Sequence, residues 1–242
     1  MLLQETDALI NLCKMKTHAL ERVTGGVKNL YGCISGLHKA KGHTKYTNAD
    51  IFARQLIDLN QLIKPRFCVM DGIVAMDGNG PTSGDPVKMK VLLLGNDPVA
   101  IDSVYCHLVH LDPQMVPTNV HGETMGLGTW REENIRLLTD GGEITMQEAV
   151  ERFGNPDFNV DRKKQRGNLW NRFNNGFLRY FQKKPYIEAD KCKKCGVCVE
   201  ACPVEGKALQ FKNGRRKPPV YNYHKCIGVF AVRKCVRTKR FR

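Results

Sequence analysis

Apolar positions fall into short runs separated by stretches of helical period. Residues 8–13 (ALINLC) read as a buried strand. Residues 19–31 read as a helix, weakened by Gly25 and Gly26. In residues 49–63, Phe52, Leu56, Leu59 and Ile63 recur at helical spacing, and Pro65 follows the end. Residues 67–75 (FCVMDGIVA) predict a strand, 76–86 a Gly/Pro loop, and 87–94 a second strand. Residues 97–111 predict a helix, with Asp97 as N-cap and Pro98 at the first helical position. A strand over 135–138 and a short helix over 146–153 complete this part.

Strands alternating with helices predict an α/β fold, a mixed or parallel sheet with helices. Further on, Trp170, Phe173, Phe177 and Phe181 are interleaved with Arg172 and Arg179. At 3.6 residues per turn these aromatics share one face of a helix over 169–181. That face suits packing on the main domain. Peripheral membrane contact is a second, weaker reading, because basic residues flank the aromatics.

Charge divides the chain. The formal net charge is +14, from 38 Lys and Arg against 24 Asp and Glu. Residues 161–242 hold 23 basic and 5 acidic residues, which leaves 15 basic and 19 acidic in residues 1–160. Such asymmetry predicts two units with different surfaces, with a boundary in the polar stretch 155–168. A basic protein first suggests nucleic acid, but no recognition motif supports that partner. No apolar run reaches the roughly 18–20 residues of a membrane helix. No secretory leader opens the chain, so the expected location is cytoplasmic. Ten cysteines in that setting point to metal or redox chemistry, not disulfides.

The cysteines supply the strongest motif. Cys192, Cys195, Cys198 and Cys202 follow the C-x2-C-x2-C-x3-C-P pattern, with Pro203 closing it. This is the bacterial ferredoxin run for a 4Fe–4S cluster, whose fourth cysteine serves the other cluster in two-cluster proteins. Zinc sites more often use separated C-x2-C pairs. Lys191, Lys193 and Lys194 add positive charge beside the thiolates, which favours the reduced cluster and offers a docking face to an acidic redox partner.

A second run starting at Cys226 is broken. Its register falls on Val229, Val232 and Val236, with Cys235 one residue out of step. Valine codons begin GT, so a preceding codon ending in T reads as cysteine one base upstream. Val and Ala make up about 15% of average usage, so three such hits arise by chance about once in 300. The expectation is that residues 227–242 are translated out of frame from an ancestral second motif. The encoded chain would then retain one cluster, held by Cys192, Cys195 and Cys198 with Cys235 as a possible fourth ligand. Cys202 and Cys226 alone cannot hold the second.

The chain also carries a set of short signatures: NLCKMKTH at 11–18, TGGVKN at 24–29, YGC at 31–33, VMDGIV at 69–74, GNGP at 78–81 and DPVAID at 97–102. As a set, with the ferredoxin run, they resemble the family called domain of unknown function 362. The resemblance extends nearly to Cys226. It implies an iron–sulfur protein of ferredoxin type, with no established reaction. Family members usually carry another α/β segment before the strand at Asn11, so the resemblance implies a chain shortened at its front. The expected organisation is an N-terminally incomplete α/β domain over 1–154 and a linker with the aromatic and basic helix over 155–184. The iron–sulfur module follows over 185–226, and the basic tail over 227–242.

Other candidates are weaker. Lys14, Lys16, Thr17 and His18 are expected after a strand end and before a helix, where open α/β sheets bind ligands and a helix N-terminus holds anions. Thr17 as a helix cap is the plainer reading. Asp71, Asp77 and Asn79 flank another strand end and suit a metal or substrate contact, or a simple turn. Asp97 and Asp102 read as cap and helix face. Cys13, Cys33, Cys68 and Cys106 read as core. His107 and His110 lack a metal motif, and His121-Gly122-Glu123 is a weak candidate in a glycine-rich loop. The leading expectation is ferredoxin-like single-electron transfer. The alternatives are a redox enzyme acting on a small anion near Lys16, His18, Asp71 and Asn79, and a non-functional remnant of a two-cluster protein.

Overall fold

In strand β1 (Ile10–His18) the side chains alternate strictly, with Asn11, Cys13, Met15 and Thr17 buried and Ile10 and Leu12 exposed. A computed structural model describes residues 5–34, 48–81, 83–163, 186–200, 202, 204, 206–212, 214–223 and 225. The chain divides into two compact units.

In the first unit, β1 turns back into β2 (Arg22–Thr24), and the short helix α1 (Gly26–Asn29) leads into a tight turn over Leu30–Cys33. Helix α2 (Ala49–Ile63) is capped by Asn48, whose side chain accepts from the Asp50 N–H. It ends at Lys64 in the left-handed region, before Pro65. The long β3 (Phe67–Asp77) runs parallel to β1. Along its other edge lie β4 (Asp85–Val87) and β5 (Val91–Gly95), both antiparallel to it. The sheet is therefore mixed, with five strands. Helix α3 (Pro98–Leu108), helix α4 (Pro117–Thr124), the hairpin β6 (Leu137–Thr139) and β7 (Gly142–Ile144), and helix α5 (Met146–Phe153) complete the unit.

Several elements depart from expectation. Residues 19–31 are a turn, β2 and a short helix, not one helix, because Gly25 and Gly26 are needed for close approach. A Cβ on Gly25 would overlap the Asp102 carboxylate and the Met70 side chain, and one on Gly26 would crowd Cys68 and Pro98. The strand expected over 87–94 is split at residues 88–90, where Lys90 adopts φ 59°. The strand expected at 135–138 is the hairpin strand β6. Cys33 is exposed, whereas Cys13, Cys68 and Cys106 are buried as expected.

The core lies on one face of the sheet. Cys13, Met15, Cys68, Met70, Ala75 and Val91 pack with Ile101, Val104, Tyr105 and Leu108 of α3. Phe158 is fully buried in the same cluster and meets Tyr105 edge-on at 6.1 Å. The unit therefore extends past Gly154 to Lys164, within the polar stretch 155–168. Arginines fasten this last stretch. Buried Arg22 donates to the carbonyls of Met115, Asp161 and Lys163, and Arg162 donates to those of Val109, His110, Pro156 and Phe158.

The second unit is slight where it is described. It holds helix α6 (Val197–Glu200) and a small sheet of β8 (Leu209–Gln210) against β9 (Val220–Tyr221). The aromatic stretch 169–181 lies outside the described residues, as do Cys226 and Cys235. No helix among the described residues is long and apolar enough to cross a membrane.

Candidate functional site

The alternation of β1 continues to its end, so Lys14, Lys16, Thr17 and His18 lie within the strand. A turn and β2 follow, not a helix. This corrects the expected anion site at a helix N-terminus, and Thr17 caps nothing. Its hydroxyl instead donates to the Gly78 carbonyl and accepts from the Gly80 N–H, locking β1 to the loop after β3. Asp77 is likewise structural: it is buried and accepts from the Asn159 N–H at 2.8 Å.

Asp71 is committed to Lys14. The register sets the two residues side by side, and Lys14 Nζ reaches Asp71 Oδ2 at 2.6 Å and the Val74 carbonyl at 2.9 Å. The Lys14 ammonium, helped by the Ile73 N–H, holds the Asp71 carboxyl below its ordinary range. The pair stands where β3 bulges between the partners of Lys14 and Lys16. Lys16 and His18 lie on the same face of β1, and Asn79 is exposed in the following loop. His18 Nδ1 accepts from the N–H groups of Leu20 and Glu21, which puts the proton of the neutral ring on Nε2. Lys16 and His18 lie toward the C-terminal end of β1 and Asn79 follows β3, whereas Asp71 stands mid-strand and is already paired with Lys14.

Asp97 and Asp102 are structural, as expected. Asp97 Oδ1 caps α3 through the N–H groups of Val99 and Ala100, while Oδ2 takes the Thr129 N–H. Asp102 is fully buried and accepts from the N–H groups of Gly26 and Val27. Burial pushes its carboxyl up to about 7 against the pull of those bonds. His121 and Glu123 lie on helix α4, not in a glycine-rich loop. His121 pairs with Asp50 at 3.0 Å, and Glu123 with Arg131.

Sequence reasoning missed Glu21. It is fully buried, and neither carboxylate oxygen has a hydrogen-bond partner among the described residues. Burial pushes its carboxyl up to about 8, with Lys28 opposing and Asp50 adding to the rise. A lone glutamate before a short strand gives no sequence signal of this.

The cysteine run occupies the second unit. Cys192 is half-buried and Cys195 exposed, while Cys198 and Cys202 are buried. Lys194 and Gly196 adopt positive φ (56° and 85°), so the chain reverses between Cys195 and α6. Cys198 sits in that helix, behind Gly196, whose carbonyl accepts from Val199 and Glu200. Burial, and then the charges of Cys192 and Cys195, push the Cys198 thiol up. The Ala208 N–H donates to Cys202 Sγ at 3.3 Å, and Lys207 Nζ reaches the carbonyls of Glu200 and Cys202 at 2.9 and 2.8 Å. Ile187, Val199, Val204 and Tyr221 pack around Cys198, Cys202, Ala208 and Leu209.

Among the described residues, no three His, Cys, Asp or Glu side chains stand close enough together to hold a metal ion. The fit to an iron–sulfur cluster is one of donor chemistry. Soft sulfur donors follow one another on a loop with left-handed turns, and Cys202 receives an N–H on its sulfur.

An α/β unit followed by such a loop defines a class of iron–sulfur proteins, and the comparisons agree. Residues 2–107 match the family described as domain of unknown function (DUF362), and residues 184–238 match the family described as a 4Fe-4S dicluster domain. The second match runs through the positions of Val229, Val232 and Val236. A curated relative, the thylakoid-associated protein sll1697 of Synechocystis sp. (strain ATCC 27184 / PCC 6803 / Kazusa), is 40% identical over 143 residues. The match takes in 59% of this chain and 44% of that protein, so the chain spans less than half the length of this relative. No solved structure matches the chain.

Proposed function

We propose that the protein is a ferredoxin-like carrier that passes single electrons to or from an acidic redox partner. The observation that carries this reading is the Cys192–Cys202 run, set on a reversing loop with an N–H on the Cys202 sulfur, within the dicluster match. When bound, the cluster supplies reversible one-electron storage. The chain's own residues do the rest. Cys192, Cys195 and Cys198 supply three sulfurs, and Cys235 is the tail residue nearest the fourth position. Leu209 and Tyr221 shield the buried sulfurs from water. The Lys207 ammonium, held on the Glu200 and Cys202 carbonyls, adds positive charge beside the run and favours the more negative, reduced state. Lys193 and Lys194 add the positive field that draws an acidic partner.

The count of clusters follows from the tail. Val229, Val232 and Val236 stand in the ligand positions of the second run, so one cluster is retained. Cys202 and Cys226 are left from the second set. Anaerobic reconstitution is expected to give about four irons per chain and a reversible EPR signal. Eight irons would overturn the count, and absence of a signal would overturn the carrier reading. The gene's alternate frame over residues 227–242 is expected to encode the missing cysteines, and stop codons there would end the out-of-frame reading. An enzymatic reading around Lys16, His18, Asp71 and Asn79 has less support, since Lys14 already occupies Asp71.

A further inference from the structure

The bend between β4 and β5 and the end of helix α5 enclose a recess of about 370 Å³, lined by residues 88–90 and 152–155. Three cations meet there, Lys88, Lys90 and Arg152, in a part of the chain with more acidic than basic residues. None of the three has a side-chain hydrogen bond or ion pair among the described residues. The acids of α5 are engaged elsewhere: Glu148 closes the capping box, and Glu151 accepts from Gln147. The bend itself is anchored. Met89 is buried in the core, which fixes the exposed lysines on either side of it. Lys90 adopts φ 59°, a region that disfavours residues with a Cβ. A lysine kept where glycine fits more easily points to a use for its side chain. Arg152 stands in the last turn of α5, and Phe153, 40% exposed, supplies an apolar wall.

We propose that this recess binds the phosphate group of a small phosphorylated molecule. The Arg152 guanidinium offers a planar fork that matches phosphate oxygens, and the two lysines add point charges beside it. One carboxylate needs a single cation. Three cations suit a phosphate near its dianionic state, with enough left over to offset the negative carbonyl end of α5. Phe153 takes the apolar body of the ligand. The volume lies at the small end of ligand pockets, which run from roughly 300 to 1,000 Å³, so it suits one small molecule.

Titration of the full chain with inorganic phosphate at low salt, followed by amide NMR shifts, tests this. Saturable shifts are expected at residues 88–90 and 152–155. Lys90→Gln and Arg152→Gln should each weaken binding by about 10-fold. Phenyl phosphate should bind about 10-fold tighter than inorganic phosphate, because its ring meets Phe153, and benzoate should bind more weakly than phenyl phosphate. Lys90→Gly suits φ 59° better, so it should weaken phosphate binding without lowering the melting temperature. Shifts confined to the basic residues 161–242, or binding indifferent to both glutamine substitutions, would overturn the site. Benzoate binding as tightly as phenyl phosphate would overturn the choice of phosphate. A Lys90→Gly chain that melts lower but binds phosphate as before would make Lys90 structural and overturn its role.

Discussion

The two units hold their polar groups in opposite ways. In the α/β unit nearly every buried polar side chain satisfies backbone. Asn11 bonds the Gly26 carbonyl, Asn60 those of Val27 and Leu56, Asp102 the N–H groups of Gly26 and Val27, and Thr17 the Gly78–Gly80 loop. In the cysteine module the described core is four residues, two of them cysteines, beside a four-residue helix and two-residue strands. A cluster held by these cysteines would add its binding energy to the folding of the module. The contrast explains why polar signatures in the first unit describe architecture, while those in the second describe chemistry.

The sharpest break of that comparison is removal of iron. Chelation, or Cys198→Ala, is expected to abolish hydrogen-exchange protection across residues 186–225 while leaving the melting of the α/β unit in place. Loss of both together would erase the distinction.

Next in size is Glu21→Gln. The folded carboxyl titrates near 8 against 4.5 for the ordinary group. A raised acid pKa means that stability is fully present below pH 4.5 and is lost as pH rises toward 8. Glutamine removes that loss, so the variant should gain little at pH 4.5 and about 4 kcal/mol at pH 8 in urea unfolding. An equal gain at both pH values would contradict the assignment.

Gly25→Ala should cost about 2–3 kcal/mol, because the added methyl meets Asp102 and Met70 in a packed site. Thermal melts of the oxidised protein check this. The smallest effect is expected from Lys14→Gln: less than about 1 kcal/mol for the fold, since the pair with Asp71 is partly exposed. A large loss would make the pair structural.

Much of the first unit was legible because local signals agreed. Helix α2 begins after Asn48 and ends before Pro65, as the period and Pro65 predict, and α5 spans the expected 146–153 behind a Thr145–Glu148 capping box. Asp97 caps α3, as its place before Pro98 suggests. The length of β1 was hidden because its outward residues change from Ile10 and Leu12 to Lys14, Lys16 and His18. The alternation continues, but the apolar run ends at Cys13. The Gly25–Gly26 pair looked like a helix defect because its reason is a carboxylate 76 residues away. The candidate cluster of Lys16, His18, Asp71 and Asn79 could not be judged without the register that pairs Lys14 with Asp71. The cysteine run needed no fold to be read, since its ligands are consecutive in sequence.

The buried carboxyls have one more consequence, seen in the molecule's migration in an electric field. A formal count gives every one of the 24 acidic residues a full negative charge. Burial pushes Glu21 up to about 8 and Asp102 up to about 7, so both bind protons more readily in the folded chain than in the unfolded one. Folding therefore takes up protons, and the α/β unit is more cationic than its formal count. The excess comes from the nominally acidic half, so the two units differ less in charge than their compositions suggest. Unfolding at neutral pH should release those protons and slow the chain's drift toward the cathode.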